Sequence, residues 1–146
     1  MDPRDFLDIA GEWSVAAREA EWRSAVSRAY YAAFHVASRL FQRARFAVPR
    51  GEQAHGYLWL RLSNSGHPDV INAGRVLQEL RRDRNHADYD LGVPFLQNLA
   101  MDSVTNALSI IQLLETVETT PHVLAQITAA MRVYERDVLH DVTGRP

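Results

Sequence analysis

Apolar residues recur at three- and four-residue intervals through nearly the whole chain, and no alternating run bounded by hairpin turns interrupts them. That periodicity predicts an all-α protein. Asp2 followed by Pro3 reads as an N-cap with proline in the first helical position. Phe6, Ile9, Ala10, Trp13 and Ala17 then form an apolar stripe that carries a first helix to about Ala17. A second helix, from Glu21 to about Arg43, places Trp22, Val26, Ala29, Ala33, Val36, Ala37 and Leu40 on one side and stops before Pro49-Arg50-Gly51. A third runs from about Glu52 to Leu62, where Ser63-Asn64-Ser65-Gly66-His67-Pro68 breaks it. The fourth, Asp69 to about Tyr89, buries Ala73, Val76, Leu77, Leu80 and Ala87. Beyond Gly92-Val93-Pro94, a fifth carries Leu96, Ala100, Val104, Ala107, Ile111 and Leu114 inward and ends near Glu118. Thr120 is the expected N-cap of the last helix, which starts at Pro121 and presents Val123, Ile127, Ala130, Met131, Tyr134 and Val138 on one face. Short linkers and the absence of repeats make a single helical bundle of five to six helices the expected fold.

Composition narrows the chemistry. The chain has 146 residues, 47% of them hydrophobic and 23% charged, the mixture of one compact domain. With no cysteine it has no disulfide, no thiolate metal ligand and no cysteine nucleophile. All sixteen basic residues are arginine, and against eighteen acidic ones they leave a formal charge of -2, so any attraction for nucleic acid has to be local. No apolar run approaches the roughly 20 residues of a membrane span, and Met1-Asp2-Pro3-Arg4-Asp5 lacks the order of a signal peptide. A cytoplasmic protein with no membrane association is expected. His35, His55, His67, His86, His122 and His140 show no paired ligand spacing, and there is no phosphate loop, dinucleotide turn or nucleophile elbow, so no metal and no cofactor are expected.

Two helical faces carry candidate chemistry. Opposite its apolar stripe, the second helix holds Ser24, Ser27, Arg28, Tyr31, His35, Ser38 and Arg39, polar and aromatic together. From Arg18 to Arg50 there are seven Arg and two Glu, a local positive excess. Such a face can meet phosphates, with Tyr31 stacking on a base. It can equally be a solvated surface or a subunit interface. On the fourth helix Arg84 falls among Leu77, Leu80 and Ala87, inside the apolar arc. A guanidinium there requires a partner, because an unpaired buried charge costs several kcal/mol. Asp88, one turn on, is the nearest candidate; a second subunit or a bound phosphate are the others. His86 lies with Arg82 and Tyr89 on the outer side, about 140° from Arg81 on an unbroken helix.

Ser27-Arg28-Ala29-Tyr30-Tyr31-Ala32-Ala33-Phe34-His35 and Arg84-Asn85-His86-Ala87-Asp88-Tyr89-Asp90, in this order and both on helices, resemble the HEPN superfamily (higher eukaryotes and prokaryotes nucleotide-binding domain). The likeness is to its small prokaryotic branch with S-R-x-Y-Y-A and R-N-x-A-D-Y. It covers roughly residues 1–118, an HEPN-like helical bundle, with 119–146 as a C-terminal helical extension of the same domain. The resemblance implies a homodimer, the RNA- or nucleotide-binding half of a two-component toxin–antitoxin or defence module, partnered by a minimal nucleotidyltransferase. Binding residues would be Arg28, Tyr31, His35, Arg39, Asn85, Asp88 and Tyr89. It also implies an alternative, a metal-independent endoribonuclease toxin in which Arg and His of an R-x(4-6)-H motif meet in a cleft between subunits. Arg81, Arg84 and His86 are the candidates for that chemistry, with His86 as base or acid and an arginine stabilising the phosphorane. Of Arg81 and Arg84, only Arg81 reaches a histidine at the motif spacing, His86; the fifth residue after Arg84 is Tyr89, whose ordinary pKa near 10 suits it poorly to act as a base. A structural helical adaptor is the third function class in play.

Overall fold

A computed structural model describes residues 1–146. The all-α bundle expected from the periodicity is present, with helices α1 Pro3–Ser14, α2 Glu19–Arg43, α3 Gln53–Leu62, α4 Pro68–Tyr89, α5 Gln97–Glu118 and α6 Pro121–Tyr134. A π-helical turn, Glu135–Leu139, prolongs α6. The only β-type pairing is an isolated bridge between Phe46 and Gly144. No helix is long and apolar enough to cross a membrane. The chain divides into two compact units, one of residues 1–35 and 76–111, the other of 36–75 and 112–146.

In the first unit the local rules act as expected at the helix starts. Asp2 caps α1, its Oδ1 accepting from the Arg4 N–H at 2.9 Å with Pro3 behind it. Glu21 reaches back to the Arg18 N–H at 3.1 Å and to its guanidinium at 3.1 Å, the reciprocal arm of a capping box. These bonds hold the Glu21 carboxyl below its ordinary value. Helix α1 ends at Ser14, short of Ala17, and the chain turns so that the Trp22 indole N–H can donate to the Ala16 carbonyl at 2.8 Å. Its buried side is Leu7, Ala10 and Ser14, whereas Ile9 and Trp13 are exposed. The expected stripe is therefore rotated, and Phe6, half-buried, is engaged by a guanidinium rather than by the core. Ala25, Val26, Ala87, Phe95 and Ala100 form a buried cluster against which Trp22 and Leu99 pack. Phe95, not Leu96, enters this core; Leu96 is 65% exposed and precedes the first turn of α5.

The second unit is built around a buried ion pair. Arg61 Nε donates to Glu135 Oε2 at 2.8 Å, and Glu135 also accepts from the backbone N–H groups of Thr143 and Gly144, both at 2.9 Å, and from the Thr143 hydroxyl. Burial alone would raise the Glu135 carboxyl, yet these hydrogen bonds outweigh it and hold the carboxyl below its ordinary value. The π turn widens the helix at this point and shifts the register, so that Glu135 faces inward and Val138, expected inward, is exposed. Thr120 stands at the N-cap of α6 as expected, but its hydroxyl donates to the Thr116 carbonyl at 2.7 Å instead of capping. Gly74 has a packing reason, since a Cβ there would meet Leu62 Cβ and Ser63 Oγ at 2.9 Å.

Candidate functional site

The candidate residues that come together do so in the first unit, between α2 and the last turns of α4. On α2 the spacing of Ser24, Ser27, Arg28, Tyr31 and His35 puts them on one stripe, and the structure keeps that stripe at the edge of the core. The Tyr31 ring receives two guanidiniums: the central carbon of Arg28 stands 5.2 Å from its centroid, and that of Arg84 also 5.2 Å. Arg28 lies as well over the Phe6 ring at 4.9 Å, and Arg84 over the Tyr89 ring at 5.5 Å. Each contact is a cation over a π face, an arrangement that holds a guanidinium without discharging it.

Arg84 is largely buried, its side chain 15% exposed, and its partner is the one expected on the same helix: Nε stands 2.9 Å from Asp88 Oδ2. The approach is off the line of the N–H, so the attraction is mainly Coulombic, while the Nη1 group donates to Asn85 Oδ1 at 3.0 Å. Asp88 Oδ2 also accepts from the Ser27 hydroxyl at 3.2 Å, which ties the two helices together at this point. Arg28, by contrast, makes its contacts with aromatic rings and has no carboxylate partner. It lines an open cleft of about 430 Å³ together with Trp13, Ser24, Ser27 and Asp88.

His35 packs its ring near Phe34 at 5.2 Å, Phe6 at 6.0 Å and Tyr31 at 6.3 Å. Desolvation, and then the charge of Arg28, push its pKa below the ordinary 6.5, so it is neutral at pH 7. His86 is placed differently. Its Nδ1 shares a hydrogen bond with Asp90 Oδ2 at 2.9 Å, and its ring lies against Phe95 at 5.6 Å, so it is a half-buried side chain and not the surface histidine expected. Helix α4 runs unbroken through both Arg81 and His86, so the two leave it in directions about 140° apart. Arg39 belongs to the second unit, where Glu118 pairs with it at 3.3 Å and with Arg43 at 2.9 Å.

One residue central to this geometry, Arg23, carries no motif in the sequence that marks its role. Arg23 is buried, donates to the carbonyls of Ala87 at 2.9 Å, His86 at 3.3 Å and Val93 at 2.5 Å, and lies over Phe95 at 5.0 Å. It thereby sits at the C-terminus of α4, the end where a cation is favoured, and ties the carbonyls of Ala87 and His86 there to that of Val93 in the turn beyond. Glu19, one turn before it, gave the only local hint, an i,i+4 pair at 2.9 Å. Trp13, expected in the apolar stripe of α1, instead walls the cleft, 36% exposed.

No protein-family model, no curated protein and no solved structure matches the chain.

Proposed function

We propose that this protein is an HEPN-like, RNA- or nucleotide-binding component of a two-component toxin–antitoxin or defence module, acting as a dimer beside a minimal nucleotidyltransferase. The observation that carries the binding part is the pair of guanidiniums on Tyr31, one of them, Arg28, without a carboxylate and open to a cleft. An unneutralised guanidinium beside aromatic faces is what single-stranded nucleic acid binds through, phosphate to cation and base to ring. The module and its nucleotidyltransferase rest on the paired motifs around Arg28 and Arg84 alone. Dimerisation is favoured by the exposed apolar side chains Tyr89, Leu91, Val93 and Leu96 in and beside the turn between α4 and α5, an apolar surface of the kind interfaces cover.

The test is fluorescence anisotropy with a short single-stranded RNA. Wild type binds, affinity falls with salt, and Arg28→Ala weakens binding about tenfold or more, the worth of a charge-assisted contact. Absence of binding at low salt overturns the reading, and a monomer mass by light scattering at micromolar concentration overturns the dimer.

A second reading, the metal-independent endoribonuclease, is favoured by the Asp90 carboxylate on His86, since a carboxylate orienting an imidazole is how a general base is held. Cleavage of RNA in the presence of chelator separates it from the first.

A further inference from the structure

Asp88 is more than a counter-ion. One of its oxygens, Oδ2, takes both the Ser27 hydroxyl and the Arg84 guanidinium, and these two partners fix the carboxylate's orientation. The other, Oδ1, accepts from no protein group, although Asp88 lines the cleft. The same cleft is lined by the partly exposed indole of Trp13 and by a guanidinium without a carboxylate, Arg28. Its volume, about 430 Å³, lies in the range of small-ligand sites, roughly 300–1,000 Å³. A flat apolar face, a hydrogen-bond acceptor and a cation in one cleft are complementary to a nucleotide: base on Trp13, base edge on Asp88, phosphate on Arg28.

The acceptor discriminates among bases. A carboxylate seeks N–H donors and repels carbonyls and unprotonated ring nitrogens. Adenine and cytosine each place an acceptor ring nitrogen beside the amino group. Uracil has one N–H between two carbonyls. Guanine alone presents two adjacent donors, N1–H and the 2-amino group. We infer that the cleft of Trp13, Arg28 and Asp88 selects a guanosine 5′-phosphate moiety, with Asp88 Oδ1, the oxygen left open by Ser27 and Arg84, accepting from both the N1–H and the 2-amino group. The inference rests on the nucleotide-binding reading above and adds the identity of the base.

The experiment measures tryptophan fluorescence quenching and calorimetric binding for GMP, IMP and UMP, and anisotropy for the hexamers UUGUUU and UUUUUU. IMP differs from GMP only in lacking the 2-amino group, so it isolates the contact without altering the protein. Wild type binds GMP about tenfold or more tightly than IMP, and UMP more weakly still, as expected for a base contact of this kind. Asp88→Asn keeps an acceptor for Ser27 and Arg84 and is checked for folding by circular dichroism; in it the gap between GMP and IMP closes. A preference seen with GMP assigns a free nucleotide, one seen with the hexamers assigns RNA, and either supports the inference. Equal binding of GMP and IMP by wild type, with no preference between the hexamers, overturns it while leaving nucleotide binding intact, as does a guanine preference retained in folded Asp88→Asn. No binding of any nucleotide or hexamer overturns both.

Discussion

Arg84 and Asp88, one helical turn apart on α4, form an ion pair at 2.9 Å whose arginine side chain is only 15% exposed. The pair exists because the wheel position of Arg84 places a permanent charge at the edge of the core, where Asp88 and the faces of Tyr31 and Tyr89 are what it finds. Removing the guanidinium leaves Asp88 without its cation and opens space against two rings. Arg84→Ala is expected to destabilise the protein by about 2 kcal/mol or more, measured by denaturant unfolding. An unchanged midpoint would mean that the side chain is solvated and that these contacts contribute nothing.

Arg23 acts at longer range. Its bonds to the Ala87, His86 and Val93 carbonyls hold the end of α4 and the turn beyond it, so Arg23→Met keeps the apolar stem but removes that donor from the Ala87 and Val93 carbonyls, while His86 keeps only its bond from the Asp90 N–H. The expected cost is about 2 kcal/mol, accompanied by faster amide hydrogen exchange in residues 86–93. Uniform exchange along the chain, with no local acceleration there, would contradict the capping role.

The contrast between these two arginines shows what the sequence could disclose. Arg84 and Asp88 were legible because both lie on one helix and the i,i+4 rule needs no knowledge of tertiary structure. The partners of Arg23 lie more than sixty residues away, and backbone carbonyls have no signature in a sequence. The same division runs through the fold. Helix existence and the cap at Asp2 follow from periodicity and local chemistry, whereas the rotation of α1 and the inward turn of Glu135 depend on tertiary partners, an Arg28 guanidinium over Phe6 and an Arg61 side chain. Trp13 shows the cost of reading hydrophobicity as burial, since an indole suits a cleft wall as well as a core.

Glu135 makes acid stability a property of the second unit. Its carboxyl sits below the ordinary glutamate value of 4.5 in the folded state. The folded protein therefore holds that proton less tightly than the unfolded chain does. The stabilisation is fully present above pH 4.5 and is lost as pH falls through the folded value. Glu135→Gln should unfold at lower denaturant concentration than wild type at pH 7 and show a flatter pH dependence below pH 4.5. Parallel curves for the two proteins in acid would exclude the carboxyl as the cause.

His35 reports on the cation beside it. Desolvation and Arg28 both lower its pKa, so its imidazole should titrate below 6.5 by NMR. The stability that its neutral form contributes is present above that pH and falls as the ring is forced to take a proton. Arg28→Gln removes the charge but not the burial, and the midpoint should rise part of the way toward 6.5. No movement in the variant would mean that Arg28 does not face the ring in solution.

His86 decides between binding and cleavage. A nuclease of the R-x(4-6)-H kind needs arginine and histidine to converge on one phosphate, but α4 is continuous and sends Arg81 and His86 about 140° apart. Arg84 is already held by Asp88 and Asn85, so neither Arg81 nor Arg84 is turned toward His86. These contacts favour binding over catalysis. Wild type is therefore expected to bind single-stranded RNA without cutting it in the presence of chelator. His86→Ala should stay folded, with a stability loss of about 1 kcal/mol, and keep its RNA affinity within about twofold. The opposite result is equally definite: if wild type cuts RNA with chelator present and the folded His86→Ala protein is slower by roughly 100-fold, the histidine is an acid–base group. A second subunit must then bring the arginine that its own helix turns away.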